Sequence, residues 1–200
     1  MTRIEVPEGN LAVVVTYFEM TQKPAPSGHQ PDVHLSAWPR PDLAEYKSYF
    51  REIGDKWLWF GRLSLSDEEL QSTIHNPQLE IFKAQSGGKD IGLVELDFSQ
   101  PEQCEICYFG LIPEVNGKGL GGTMMSEALN LAWRDGIKRV WLHTCTHDSP
   151  RALAFYRRSG FIAYKREVEI DADPRLTGLL PIEAGPHIPV IKPLSNQADL

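Results

Sequence analysis

Residues 104 to 145 constrain this chain more than any other stretch of its 200 residues. Cys104 to Ile112 reads as an apolar strand, breaks at Pro113, and gives way to the glycine-rich run Asn116-Gly-Lys-Gly-Leu-Gly-Gly122. Leu120, Met124, Ala128 and Leu131 then fall on one helical face, and Lys138 to Cys145 reads as the next strand. The spacing predicts one parallel strand-helix-strand unit. Gly117, Gly119, Gly121 and Gly122 lack a Cβ, so a ligand can approach the backbone, and the first N–H groups of the helix point at whatever sits there. An anion such as a phosphate is the natural occupant.

The chain before this unit reads differently. Residues 11 to 20 form an opening strand, 22 to 31 a loop rich in Pro, Ser and Gly, and His34 to Trp38 a short strand. Asp42 to Ile53 has helical spacing and stops at Gly54, while Ser66-Asp-Glu-Glu69 is a capping box opening a second helix that ends near Pro77. Leu79 to Ala84 and Ile91 to Phe98 join Cys104 to Ile112 as an antiparallel meander, because the connections are short. After the crossover unit come a helix over 150–159, with Pro150 at its first position and Gly160 past its end, and a strand over 161–170. Beyond Asp171 the chain is rich in proline, with one short strand expected over His187 to Ile191.

Composition narrows the function. A net charge of -7 argues against broad nucleic-acid binding, which needs basic surface, and favours a positive substrate. The longest strongly apolar run, Leu11 to Val15, is far short of the roughly 20 residues of a membrane span, and residues 1 to 6 lack the apolar core of a signal peptide. No membrane role and a cytoplasmic location are therefore expected. Three cysteines do not make a secreted disulfide framework, so free thiols are expected.

Gly117 to Gly122 formally matches G-x-G-x-x-G, but a dinucleotide fold needs several consecutive crossover units and only one is present. The phosphate-binding lysine spacing of a Walker loop is also absent, since no Lys precedes Thr123 at the required place. A second stretch decides between cofactors. Ser149-Pro-Arg-Ala-Leu-Ala-Phe-Tyr-Arg-Arg-Ser-Gly-Phe161 resembles the S/N-x-x-A-x-x-F-Y-x-x-x-G-F motif of the GNAT superfamily of acyl-CoA-dependent N-acyltransferases. The family's acyl-CoA motif, usually R/Q-x-x-G-x-G/A, maps onto Asn116 to Gly121. The resemblance covers residues 79 to 165, with Asn116 in place of Arg or Gln and Ser149 in place of the usual Asn.

The resemblance implies an α+β fold: a twisted, mostly antiparallel sheet with one parallel unit and about four flanking helices, forming a single domain over 1–200. It implies acetyl-CoA as co-substrate and transfer of its acetyl group to an amine of a small molecule or peptide by direct attack in a ternary complex. Main-chain groups of Phe109, Gly110 and Leu111 would hold the pantetheine arm, with the Phe109 N–H as oxyanion donor. The cradle from Asn116 through Gly117, Lys118, Gly119, Leu120 and Gly121 to Gly122 would take the pyrophosphate, with Ser149 beside it. Tyr156 would protonate the departing thiolate. A non-catalytic acyl-CoA-binding regulatory module is the alternative.

The amine must be neutral when it attacks. The resemblance makes Glu105 the expected base, since it lies eleven residues before Asn116, the spacing at which histone-acetyltransferase members of the superfamily carry a glutamate base, and alternation puts it on the face of Cys107 and Phe109. Glu95 on the adjacent strand, which shares its face with Asp97, is the next choice, and water the other. Trp57 and Trp59 are expected in the acceptor-site wall, joined by Tyr46, Tyr49 and Phe50. His143-Thr-Cys145-Thr-His147 offers N, S and N donors on one strand face, a zinc pattern without an evident fourth ligand. The expectation is that this strand lines the CoA cleft and no metal is bound. A covalent cysteine route is disfavoured, because neither Cys107 nor Cys145 sits in a recognisable Cys-His arrangement. The oligomeric state is left open between monomer and homodimer.

Overall fold

The structure, a computed structural model, describes residues 2–25 and 33–193. One seven-stranded sheet organises them, built from β1 (Asn10–Met20), β2 (His34–Ala37), β3 (Leu79–Ser86), β4 (Lys89–Asp97), β5 (Gln103–Leu111), β6 (Arg139–Cys145) and β7 (Ile162–Ala172) in the order β2-β3-β4-β5-β6-β1-β7. The β5–β6 pair is parallel and the others are antiparallel. The opening strand therefore lies deep in the sheet, inserted between β6 and β7, a placement that its own sequence does not announce. The expected loop over 22–31 falls mostly outside the described residues.

The helices are α1 (Leu43–Gly54), α2 (Asp67–Ile74), α3 (Leu120–Ala132) and α4 (Ala152–Arg158). Asp42 caps α1 by accepting from the N–H groups of Ala44 and Glu45, and Ser66 with Glu69 closes the reciprocal capping box of α2. Glycine 160, at φ +96°, ends α4 in the left-handed region. Helix α4 starts two residues later than expected, because Pro150 and Arg151 are taken up in the turn before it.

Helices α3 and α4 cover one face of the sheet over a core that includes Phe18, Val94, Leu96, Ile106, Met124 and Leu142. The inner face of α3 carries Met124, Met125, Ala128, Leu129 and Ala132, whereas Leu131, expected there, is exposed. Helices α1 and α2 cover the other face over Tyr46, Phe50, Ile53, Leu70, Ile81 and Leu93.

The segment after β7 packs into this second core through Leu180 and Ala184. It forms no strand over 187–191, correcting that expectation. Pro186 and Pro189 lack the N–H a ladder needs, and the segment's carbonyls are claimed instead by Arg175. That guanidinium donates to the carbonyls of Ala184 (3.2 Å), Ile188 (2.8 Å) and Pro189 (3.2 Å) and pairs with Asp173 at 2.8 Å, both side chains being 1% exposed.

Candidate active site

Strands β5 and β6 pair over only three residues each, Gln103 to Glu105 with Arg139 to Trp141, and then part. Beyond that point β5 stays paired to β4, where Ile112 N–H donates to the Ile91 carbonyl at 2.9 Å. In this antiparallel register the 94/109 and 92/111 pairs are non-hydrogen-bonded, so the N–H groups of Phe109 and Leu111 face the gap. A cleft of about 1170 Å³ opens there, walled by Phe109, Gly110, Leu111, Asn116, Gly117, Gly119, Gly121, Gly122 and Ser149. Gly119 caps α3 in the left-handed region at φ +83°, and a Cβ on it would meet nothing within 4 Å, so the cradle is not filled by the protein's own atoms.

Two residues expected in the cradle are not on its wall. Leu120 turns into the first core, and Lys118 is an exposed side chain off the cleft. The cations that do face the cleft are Lys23, Lys56, Arg151 and Arg158. Arg151 and Arg158 occupy variable positions inside the Ser149 to Phe161 stretch, and Lys23 and Lys56 lie in segments with no motif, so the sequence carried no signal for them. Ser149 accepts a 3.3 Å hydrogen bond from the Arg151 N–H, which shapes the turn into α4.

A second cavity of about 180 Å³ adjoins the first, and Trp57, Trp59, Phe109, Asp148 and Tyr156 line both. Tyr156 packs its ring against Phe155 and Phe18 at centroid distances of 5.4 and 5.9 Å. Burial, and then the charge of Asp148, push its phenol above the ordinary range, so it is protonated at neutral pH. Trp59 lies across the β5 backbone, where a Cβ on Gly110 would come within 2.7 Å of its Cη2 atom. Its indole N–H donates to Asp148 Oδ1 at 3.3 Å, and Asp148 Oδ2 accepts from Thr144 Oγ1 at 2.6 Å and the Cys145 N–H at 3.0 Å. Trp57 closes a 3₁₀ turn and meets His187 edge-on at 5.5 Å, so the last segment borders this corner of the site.

The carboxylates depart from the expected picture. Between the Glu95/Tyr108 and Leu96/Ile106 pairs the register skips Cys107, a β-bulge. The bulge breaks the alternation that had put Glu105, Cys107 and Phe109 on one face. Tyr108 turns to Phe50 and Trp59 at 4.8 and 5.1 Å, on the side of Cys107, whereas Phe109 stacks on Phe155 at 5.8 Å on the opposite side. Glu95 is fully buried and lines neither cavity: Arg62 holds one oxygen at 2.8 Å and the Tyr46 hydroxyl donates to the other. Fully buried and beside neither cavity, Glu95 is a structural anion, not a contact for substrate.

Glu105 also lines neither cavity, but its neighbour His143 does, with Nε2 at 3.9 Å from Glu105 Oε1. Burial, and then the charge of Asp97, push the Glu105 carboxyl up to about 7, with Arg62 pulling the other way. Asp97, Glu105 and Cys107 bring their donor atoms within 4.8 Å of one another; His143, Cys145 and His147 do not belong to that group. Those three line the second cavity and none lines the larger cleft, which corrects the expected placement of their strand. Burial pushes the thiols of Cys104 and Cys145 up to about 12 and 11, so neither is a ready thiolate.

The two cavities differ in charge: Lys23, Lys56, Arg151 and Arg158 line the larger one against Glu127 and Asp148. Asp148, Glu169 and Asp171 line the smaller one together with aromatic rings, and among the described residues its wall carries neither Lys nor Arg. A basic cleft with a helix N-terminus at one end, meeting an acidic aromatic pocket at a shared opening, fits a polyphosphate co-substrate and a cationic acceptor.

The comparisons agree on the class. The Acetyltransferase (GNAT) family matches residues 35–161, and the chain belongs to that family. An uncharacterised N-acetyltransferase of Bacillus subtilis (strain 168), YhfO, is 25% identical over 126 residues, covering 60% of this chain and 79% of the relative. A GCN5-related N-acetyltransferase from Sphaerobacter thermophilus shares the fold with a TM-score of 0.55 at 16% identity, over 83% of this chain and 52% of that one. An IAA acetyltransferase from Bacillus cereus ATCC 14579 does so with a TM-score of 0.52 at 21% identity, over 66% and 79%. This chain thus spans only about half the length of the Sphaerobacter structure. Family membership supports N-acetyltransferase activity, and no helix among the described residues is long and apolar enough to cross a membrane.

Proposed function

We propose that this chain is a single-domain cytoplasmic enzyme that moves an acetyl group from acetyl-CoA to a primary amine. The observation that carries the reading is the junction at Trp57, Trp59, Phe109, Asp148 and Tyr156, where a large basic cleft meets a small acidic pocket. The cleft fits a CoA: free main-chain N–H groups run along β5, an unfilled glycine cradle caps α3, and four cations stand around it. When bound there, the co-substrate supplies a thioester carbonyl and a thiol leaving group.

The chain's own groups then divide the work. The Phe109 N–H stabilises negative charge developing on the carbonyl oxygen, a contribution of about 3 to 4 kcal/mol for one fixed donor. The Tyr156 hydroxyl supplies the proton that the departing sulfur needs. Asp148, Glu169 and Asp171 attract a cationic amine into the pocket, and the indoles of Trp57 and Trp59 pack its carbon body and exclude water. The pocket favours a small amine with an apolar or aromatic body.

A thermal-shift titration with acetyl-CoA followed by thiol-release assays on a panel of amines tests this. Raised melting temperature with turnover is the expected result. Binding without turnover on any amine would instead assign the chain to a regulatory acyl-CoA-binding role.

A further inference from the structure

The alternating side chains of His143, Cys145 and His147 all line the acceptor pocket, yet the reading above gives them no work. The three are not equivalent. His143 is half exposed at 46%, and the Cys145 thiol is held protonated by burial and by Asp148. His147 is only 9% exposed, and among the described residues nothing hydrogen-bonds its ring. The hydrogen bond at this residue runs from His187 Nε2 to the His147 carbonyl, at 2.8 Å, and leaves the imidazole free. Its nitrogens are not among the fully buried atoms that lack a partner, so they open onto the pocket, where a group that enters with the ligand can reach them.

We infer that His147 is the proton acceptor for the incoming amine, an inference that rests on the acceptor-pocket reading above. The amine arrives as an ammonium; one N–H bond breaks, its proton bonds to a free ring nitrogen of His147, and the nitrogen lone pair attacks the thioester carbonyl. The C–S bond then breaks and the sulfur takes a proton from Tyr156, whose oxygen is reprotonated as the imidazolium gives its proton back through solvent. The second N–H proton of the ammonium is lost to solvent as the tetrahedral intermediate collapses, so each turnover yields the amide, the free thiol and one proton.

The surroundings suit this task. Burial, then His187 and Arg175, hold the ring neutral and below the ordinary histidine range, while Asp148 and Asp173 pull in the other direction without prevailing. A neutral ring at pH 7 is ready to accept a proton. Asp148, at the opening between the cavities, is fixed by Thr144, Cys145 and Trp59, so a carboxylate stands ready to stabilise the imidazolium once it forms. Glu105, the base expected from sequence, reaches the same pocket only past His143.

The test uses the full chain with acetyl-CoA and a panel of phenethylamine, tryptamine, putrescine and lysine. For the best acceptor, kcat/KM is measured from pH 5.5 to 9 for the wild type, His147→Gln, His147→Ala and Glu105→Gln. Loss of about 100-fold in His147→Gln, disappearance of the acidic limb, an unchanged acetyl-CoA thermal shift and partial rescue of His147→Ala by imidazole are expected. A wild-type rate and limb in His147→Gln overturn the inference, and loss of the limb only in Glu105→Gln returns the role to Glu105. Imidazole ¹⁵N spectra of the wild type cover the case in which the variants do not fold or no amine is acetylated. There the His147 ring is neutral at pH 7 and its signals move when tryptamine is added; a ring that ignores the amine refutes the inference, whereas absent turnover with a responding ring refutes only the acetyl-transfer reading.

Discussion

Glu105→Gln should stabilise the protein at neutral and alkaline pH while leaving it nearly unchanged in acid. The carboxyl of Glu105 is pushed from 4.5 up to about 7 by burial first and by Asp97 second. In the window between those values the folded state binds more protons than the unfolded state, so stability falls as pH rises through it. A rise of about 2.5 in pKa at about 1.4 kcal/mol for each corresponds to about 3 kcal/mol lost by the wild type. The side chain is 21% exposed, so solvent screening removes only part of this. Glutamine has no proton to lose and escapes the penalty. Urea unfolding of both proteins at pH 5 and pH 8 reads the difference directly. The variant's advantage should grow by about 3 kcal/mol between the two, or by about 1 to 2 M in urea midpoint. Parallel stability curves for the two proteins would refute the argument, since they would show that Glu105 titrates alike in folded and unfolded chains. Adding Asp97→Asn to the wild type should recover a smaller share of the same loss, because it removes the second cause and leaves burial in place.

Arg175→Met should cost about 3 to 5 kcal/mol, since it leaves the buried Asp173 carboxylate and several carbonyls without their donor; differential scanning calorimetry should show a drop of roughly 6 to 20 °C. Burial opposes ionisation of Asp173, but the Arg175 hydrogen bonds outweigh it and hold the carboxyl below its ordinary 3.8, so this pair's stabilisation is present above about pH 4 and lost as pH falls through the lowered value. An acid titration of the wild type and Asp173→Asn, followed by circular dichroism, should show the wild type the more stable above that point and the two proteins converging as pH falls through it. Gly110→Ala places a methyl within 2.6 Å of Ile53 and 2.7 Å of Trp59, which should cost about 1 to 3 kcal/mol by overpacking and displace Trp59, read as a blue- or red-shifted tryptophan emission. Tyr156→Phe should lower kcat and leave the acetyl-CoA dissociation constant within about twofold; unchanged turnover would remove its hydroxyl from the reaction.

Local patterning made most of the fold legible. Capping residues, a 3.6-residue stripe and short turns located every strand of the meander and all four helices, because those signals lie within a few residues of the elements they define. The cradle was legible for the same reason: glycines at Gly117 and Gly119 take positive φ values of +81° and +83° that few other residues adopt. What local pattern could not reveal depends on distant partners. Nothing in residues 10 to 20 says that this strand lies between β6 and β7, and Arg62 lies 33 residues from the Glu95 it neutralises. Prolines after Asp171 announced an irregular segment, but not that Arg175 would gather its carbonyls and seat it beside Trp57.

The bulge at Cys107 explains why the two cavities meet where they do. Without it, alternation would carry Glu105, Cys107 and Phe109 on one face and leave Tyr108 among the residues that pack under α4. The extra residue reverses the assignment. Tyr108 is delivered to Phe50 and Trp59, under the acceptor pocket, and the Phe109 ring to Phe155 on the opposite face, while the Phe109 N–H is left facing the gap. Pairing with β6 ends at Glu105, two residues before the bulge, while β6 itself pairs with β1 as far as Cys145. The parting of β5 from β6 and the bulge that follows it together leave a main-chain donor facing the cleft and give the neighbouring pocket its aromatic wall. The geometry of the candidate site is set by strand register, which is why strict alternation predicts the strand yet places Glu105 and Phe109 on a common face.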